Sequence, residues 1–325
     1  ARTLVYGTIG AAERTGISPK RANGFGLQNA LRFARRMTVL CPCSGRPIAL
    51  SVRRQGPGLG PKYRKAECCM LLALDMGNTN ITIGVFRGES LLLESRVATD
   101  HTKMEDQYAV ELMDILRLYG VDAGEVDGAV ISSVVPPLDR TIRHAVKKIT
   151  GQTPLMVGPG TKSGLNIRID NPAQLGPDLL VGAVAAIAQY GAPCIIWDLG
   201  TATTVSVVDA KGDFRGGAIM PGVATSFESL TDRTSLLPRI RLEAPAHAIG
   251  TNSNDSMQSG AVFGSAAMID GMCDRILDEL GQPATIVATG GLSHEIIPHC
   301  RHRIISDDKL LLEGLRLVYN KNQKH

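Results

Sequence analysis

Long apolar runs are missing from this chain. Stretches such as Leu71–Leu74 and Val181–Ala188 are interrupted by Gly, Asp or Gln, well short of the roughly 20 residues that cross a bilayer, and no membrane association is expected. Paired cysteines are missing too. The seven cysteines (Cys41, Cys43, Cys68, Cys69, Cys194, Cys273, Cys300) are odd in number, and four crowd the first 69 residues without Cys-x-x-Cys spacing. That excludes a disulfide scaffold and a ribbon-type zinc site and points to a reducing cytoplasm. Seven scattered histidines, His294 and His299 among them, show no metal-ligand spacing. The one tryptophan, Trp197, adjoins Asp198 inside an apolar stretch and reads as core rather than as a stacking platform. What remains is 325 residues, 44% hydrophobic and 20% charged, enough for two globular domains with real cores.

A net charge of +4 conceals an asymmetry. Residues 1–69 hold 13 Lys/Arg against Glu13 and Glu67, whereas residues 70–325 hold 22 against 29, so +11 is followed by −7. Arg-rich, acid-poor leaders serve as nucleic-acid arms or as targeting peptides. This one lacks sustained apolar periodicity and is broken by Gly-Pro pairs between Gly56 and Pro61. It therefore reads as a disordered leader or non-native upstream sequence, with no nucleic-acid partner inferred. A self-contained domain can begin at Met70.

From Met70 onward the pattern repeats. Leu71–Leu74 is an apolar strand, Asp75-Met76-Gly77-Asn78-Thr79-Asn80 a polar turn, and Ile81–Phe86 a second strand. After 123 residues the arrangement returns as Cys194–Trp197, then Asp198-Leu199-Gly200-Thr201-Ala202-Thr203-Thr204, then Val205–Val208. Each copy runs through another turn into a third strand, giving two similar lobes. Helices are expected at Glu105–Leu118, after Pro136-Pro137, at Asp178–Tyr190, Gly222–Leu230 and Ser256–Leu280, and after Gly291 and Asp307. Further strands are expected at Ala129–Val134 and Thr285–Ala288. This makes each lobe α/β with a mixed sheet, the first spanning 70–185 and the second 186–325.

A strand ending in Asp-x-Gly-x-Thr has a physical use. Glycine lets the backbone approach a ligand, successive N–H groups and hydroxyls present donors to phosphate oxygens, and the Asp can hold magnesium or its waters. One such turn occurs for purely local reasons. Two matched copies facing a cleft would clamp the phosphates of a nucleotide, and pockets favour such interfaces. A third turn, Ala288-Thr289-Gly290-Gly291, suits an adenine and ribose lying against bare backbone.

In order and spacing these segments resemble the actin-like ATPase superfamily, and within it the type III pantothenate kinase family. The resemblance runs from Met70 to about Lys321. It is carried by both turns together with Ile131–Pro137, Gly158–Leu165, Asn171-Pro172 through Gly176-Pro177-Asp178, and Ser256–Gly260. It implies duplicated actin-like (ribonuclease H-like) lobes around a nucleotide cleft, and transfer of the ATP γ-phosphate to the terminal hydroxyl of pantothenate, the first step of coenzyme A synthesis. It further implies Asp178 as the proton acceptor, Asp198 as the site of a monovalent cation (K+ or NH4+), and Mg2+ with ATP, for which Asp75 is a candidate ligand. Met76, Gly77, Asn78, Thr79, Asn80, Ile81 and Thr82 complete the first phosphate loop after Asp75, and Thr201, Gly290 and Gly291 complete the ATP set. Ile169, Gly176, Pro177, Asp178, Leu179 and Ser253 fall at substrate-binding positions. A homodimer is also implied, with the Ala/Gly-rich helix around Met257 and Met268 at its interface.

Four positions depart from the family's usual pattern. Leu179 stands where an Arg is usual, Ile169 where a Tyr lines the substrate pocket, Ser253 in place of Thr and Ser206 in place of Asp. An Arg lost from a carboxylate removes about 1.5–3 kcal/mol of binding unless another cation substitutes, and Arg168 and Lys162 are the nearest in sequence. Two other readings therefore stay open at this stage: a kinase for a different small hydroxyl compound, and a non-catalytic nucleotide-binding regulator.

Overall fold

The structure, a computed structural model, describes residues 38–40, 47–49 and 69–323. Within the expected leader, Thr38–Leu40 (β1) and Pro47–Ala49 (β2) pair antiparallel, Thr38 opposite Ala49. The remainder of that expectation lies outside the described residues. Residues 66–325 form a separate compact unit, which contains all the elements below.

Met70–Met76 (β3) carries no polar alternation because both of its faces are covered. Leu72, Leu74 and Met76 pack with Tyr108 and Leu112 of Glu105–Leu118 (α1) and Ile142 of Pro136–Thr150 (α2). Leu71 and Ala73 pack on the other side with Leu180 and Val181 of Pro177–Tyr190 (α3) and Leu312 and Leu315 of Leu310–Asn322 (α7). Asn80–Arg87 (β4) and Ser90–Ala98 (β5) complete an antiparallel meander, while Gly128–Ser133 (β6) and Leu155–Met156 (β7) extend the sheet in parallel on the other side. The order is β5-β4-β3-β6-β7.

The second sheet repeats this design. Cys194–Leu199 (β9), Ala202–Val208 (β10) and Asp213–Pro221 (β11) form the meander, and Thr285–Thr289 (β12) and Ile304–Ser306 (β13) continue it in parallel. The order is β13-β12-β9-β10-β11-β8, where β8 is Asn166–Ile167. Ile195 and Trp197 face Ala266 and Ile269 of Ser253–Leu280 (α5). Cys194 and Ile196 face Ala183 and Ala186 of α3 and Leu310 of α7. The duplicated α/β lobes with mixed sheets expected from the repeat are thus present, with Val223–Asp232 (α4) and the short Ser293–Ile296 (α6) completing the second. Among the described residues, no helix is long and apolar enough to cross a membrane.

Helix α3 is apolar all round because it belongs to both cores, Leu180, Val181 and Val184 to one and Ala183, Ala185 and Ala186 to the other. It packs on α7 at Gly314, where a Cβ would lie 2.1 Å from the Val181 carbonyl oxygen, a space that only glycine fills. Two segments cross the expected division at residue 185. Strand β8 joins the second sheet beside β11, and α7 lays Leu312, Leu315 and Val318 on the first. Helix α5 starts three residues before its expected beginning, because Asn252 caps it by accepting a hydrogen bond from the Asp255 N–H at 2.9 Å.

Candidate active site

Strand alternation aims both motif aspartates at the same region. Asp75 follows Leu71 and Ala73 on the face of β3 that α3 and α7 cover, and Asp198 follows Cys194 and Ile196 on the corresponding face of β9. Each is the penultimate residue of its strand, and the first turn of α3 brings Asp178 to the same cavity. Gly176 is the residue before that helix and Pro177 its first residue, where the missing proline N–H costs nothing.

The two turns touch. Thr79 Oγ1 and Thr201 Oγ1 are 2.7 Å apart in a direct hydroxyl–hydroxyl hydrogen bond. The first turn closes by Gly77 N–H donating to Asn80 O at 2.9 Å, and Thr99 Oγ1 donates to Gly77 O at 2.7 Å. The second closes by Gly200 N–H donating to Ala202 O at 3.1 Å, and Thr225 Oγ1 donates to Thr201 O at 3.0 Å. The third turn packs against the second. Gly290 has φ +96°, and a Cβ there would lie 2.6 Å from both Asp198 Oδ1 and the Leu199 nitrogen, so neither the conformation nor the space admits a side chain.

Together these elements line a cavity of about 500 Å³. Its walls hold five carboxylates (Asp75, Asp178, Asp198, Glu228, Asp308), and among the described residues one cation, Arg96. Burial, with repulsion from Asp178 and Asp198, pushes the Asp75 carboxyl up from 3.8 to about 7, while the Arg96 guanidinium pulls the other way. Burial and Asp178 push Asp198 up to about 6, again opposed by Arg96. Burial raises Asp178 as well, against the hydrogen bond its Oδ1 accepts from the Leu179 N–H at 2.8 Å. A cleft in this state gains from binding cations. Among the described residues no three or more His, Cys, Asp or Glu side chains cluster at metal-ligand spacing. A cation here would therefore have at most two side-chain carboxylates and would take its remaining oxygens from a bound ligand or water, a donor set that fits an alkali ion or a magnesium carried by a nucleotide.

The expected ATP residues Asp75, Met76, Gly77, Asn78, Thr79, Asn80, Thr82, Thr201, Gly290 and Gly291 all line this cavity, as do Asp178 and Asp198. Ile81 does not, for its side chain is buried in the opposite core beside Leu74 and Met76. Of the expected substrate positions only Asp178 lines the cavity; Gly176, Pro177 and Leu179 lie outside its wall, as do Ile169, which packs in the α3 core near Gly216, and Ser253, exposed at the start of α5. Gly176, Pro177 and Leu179 flank Asp178 and are half-buried. Neither proposed substitute for the missing arginine reaches the cavity: Arg168 Nε donates to Asp213 Oδ2 at 3.0 Å, and Lys162 is an exposed residue beside Asn322.

Sequence reasoning missed Arg96, Thr225, Glu228 and Asp308. For Arg96 a signal existed in the strand register. Asp75 lies opposite Thr82 and Thr82 opposite Arg96, and directly opposed residues share a face. Asp75, Thr82 and Arg96 thus form one row facing the cleft.

A model of the type III pantothenate kinase family matches residues 71–275. The type III pantothenate kinase of Brevibacillus brevis is 43% identical over 254 residues, spanning 78% of this chain and all of that protein. Its counterpart from Dehalococcoides mccartyi is 44% identical over 260 residues, 80% of this chain and 99% of that one. Among solved structures, a conserved Baf family transcriptional activator from Campylobacter jejuni aligns with a TM-score of 0.50 at 18% identity, over 77% of this chain and 98% of that chain, and shares the fold.

Proposed function

Because the chain belongs to the type III pantothenate kinase family, we propose that its cleft binds ATP between the two Asp-x-Gly-x-Thr turns and that Asp178 accepts the proton of the attacking hydroxyl. The reaction is ATP-dependent phosphorylation of pantothenate to 4'-phosphopantothenate, which opens coenzyme A biosynthesis. The observation that carries the site assignment is the convergence of Asp75, Asp198 and the α3 N-terminus with Asp178 on one cavity.

Phosphoryl transfer asks the protein for positioning and charge stabilisation more than for covalent chemistry. The turn N–H groups and the hydroxyls of Thr79 and Thr201 supply donors at the phosphates. Asp178, raised above an ordinary carboxylate by burial, is a stronger base than a solvated one, and its place in the first turn of α3 lets the helix dipole stabilise the anion. Asp198 would hold a potassium or ammonium ion and Asp75 the magnesium of MgATP. These ions, when bound, supply positive charge against the phosphate oxygens.

On the acceptor side Leu179 and Ile169 stand where arginine and tyrosine are usual, so these positions offer the pantothenate carboxylate no cation. Leu179→Arg is expected to lower KM for pantothenate about tenfold, an ionic hydrogen bond being worth about 1.5 kcal/mol.

A homodimer is part of the same proposal. Gly260, Gly264 and Ala267 are exposed along one side of α5, where small residues permit close helix approach. A monomer by light scattering at high concentration would remove it. A cytoplasmic location is supported by the free thiols of Cys194, Cys273 and Cys300.

The test is ADP release with MgATP and pantothenate in potassium, ammonium or sodium, beside Asp178→Asn. Turnover that depends on pantothenate and on potassium or ammonium, and that drops about 10²- to 10⁴-fold in the variant, is expected. Full turnover by Asp178→Asn would dismiss it as the base.

A further inference from the structure

We propose that Arg96 is a substrate-contacting residue of the phosphoryl-transfer site, its guanidinium binding the terminal phosphate oxygens of the nucleotide from the first lobe. The proposal rests on the reading of the cleft as a nucleotide-phosphate site.

Four observations carry it. The register Asp75–Thr82–Arg96 sets the arginine on the cleft face, two strands away from the first motif aspartate. Its guanidinium spans the cleft, since a Cβ on Gly291, in the third turn, would lie 3.1 Å from Arg96 Nη1. It is exposed, and among the described residues it has no ion-pair partner within 4 Å, although five carboxylates share its cavity. The sister lobe has no counterpart: the equivalent row reads Asp198–Thr204–Ile219, and Ile219 lies outside the cavity. The fold itself therefore has no need of a cation at this strand position.

An arginine present only to neutralise Asp75 or Asp198 would make contact with one of them. Arg96 instead keeps its planar fork free, the geometry that pairs with two phosphate oxygens at once. A triphosphate entering a cleft lined by five carboxylates needs fixed positive charge in the wall. In the transfer itself, the bond between the acceptor oxygen and the γ-phosphorus forms, the bond from that phosphorus to the bridging oxygen breaks, ADP leaves, and the hydroxyl proton goes to Asp178. Arg96 exchanges no proton, and it stabilises the charge spread over the equatorial oxygens.

The test compares Arg96→Met and Arg96→Lys with the wild-type chain, varying ATP and pantothenate separately and measuring the thermal midpoint with and without MgATP. The expected result is a loss of about 10²- to 10³-fold in kcat/KM for ATP in Arg96→Met, partly restored in Arg96→Lys. KM for pantothenate should stay unchanged, the nucleotide-free midpoint should fall only slightly with the loss of the charge that favours ionised Asp75 and Asp198, and the stabilisation by MgATP should shrink. An Arg96→Met enzyme that keeps its ATP kcat/KM, or that loses the nucleotide-free midpoint and both substrates equally, overturns the proposal. The MgATP-dependent thermal shift reads Arg96 even where pantothenate turnover fails, so failure of the arginine and failure of the acceptor assignment remain distinguishable.

Discussion

The two copies of the strand–turn–strand unit agree at the turn and diverge one strand further on. Both keep the aspartate at the strand end, the glycine that lets the backbone close, and a threonine whose hydroxyl meets its twin at 2.7 Å. Their third strands differ: Arg96 faces the cleft in one, and Ile219 stands at the matching position in the other, 76% exposed and outside the cavity. A duplicated scaffold can use the same backbone donors on both sides of a phosphate chain. The chain itself is asymmetric, with a reacting end and a leaving end, so side chains that meet those ends need not be duplicated. The aspartates stay alike, for burial first and then neighbouring charge push both Asp75 and Asp198 well above the usual carboxylate range.

The strongest way to break this comparison is to neutralise the two aspartates separately. Asp198→Asn is expected to cut kcat about 10²-fold and to raise the potassium concentration needed for half-maximal rate. Asp75→Asn should leave the potassium dependence alone and raise the magnesium requirement instead. Titrating each ion against rate checks this, and identical responses from the two variants would show the lobes to be interchangeable.

Next in size is the pH response of the ligand-free protein. Both carboxyls have folded values above 3.8, so between 3.8 and those values the folded chain binds more protons than the unfolded one. Stability contributed by these groups is full at low pH and falls as pH rises through the folded values. In chelator and sodium buffer, Asp75→Asn and Asp198→Asn should each flatten the decline of the thermal midpoint that runs from about pH 4 up to neutrality. A decline that stays as steep in either variant would show that its carboxyl keeps an ordinary value in the folded chain.

A smaller effect sharpens the shared part. Thr79→Val and Thr201→Val should each raise KM for ATP roughly fivefold, for about 1 kcal/mol per lost hydrogen bond. The double variant should cost less than the product, because the two hydroxyls bond to each other. Smallest of all, Ile219→Ala should change ATP kinetics less than about twofold, and a response resembling that of Arg96→Met would erase the distinction between the third strands.

Much of this was legible from sequence where the signal is local. The helix at Glu105–Leu118 coincides with its expected bounds because its apolar positions repeat at helical spacing. The turns were legible because Gly, Asp and Thr do their work within six residues. Ile81 lies off the cavity wall because the motif runs into strand β4, where alternation turns the Ile81 side chain into the core while Asn80 and Thr82 face the cleft. Strands β7 and β8, two residues each, lacked any periodicity to detect. Nearness in sequence points to Arg168 as a replacement for the missing arginine, but in the fold Arg168 is engaged by Asp213.

By itself the sequence determined the duplicated motif, the class of fold and the family, because turn chemistry and apolar periodicity are written over short stretches of chain. Only the tertiary structure decided that α3 and α7 are common to both cores, that among the described residues five carboxylates line one cavity beside a single arginine, and that Ile219 stands where the second lobe would match Arg96. Those facts depend on strand register, which sets residues some twenty positions apart on one face, and on two sheets sharing one pair of helices, where α7 meets strand β3 more than two hundred positions earlier.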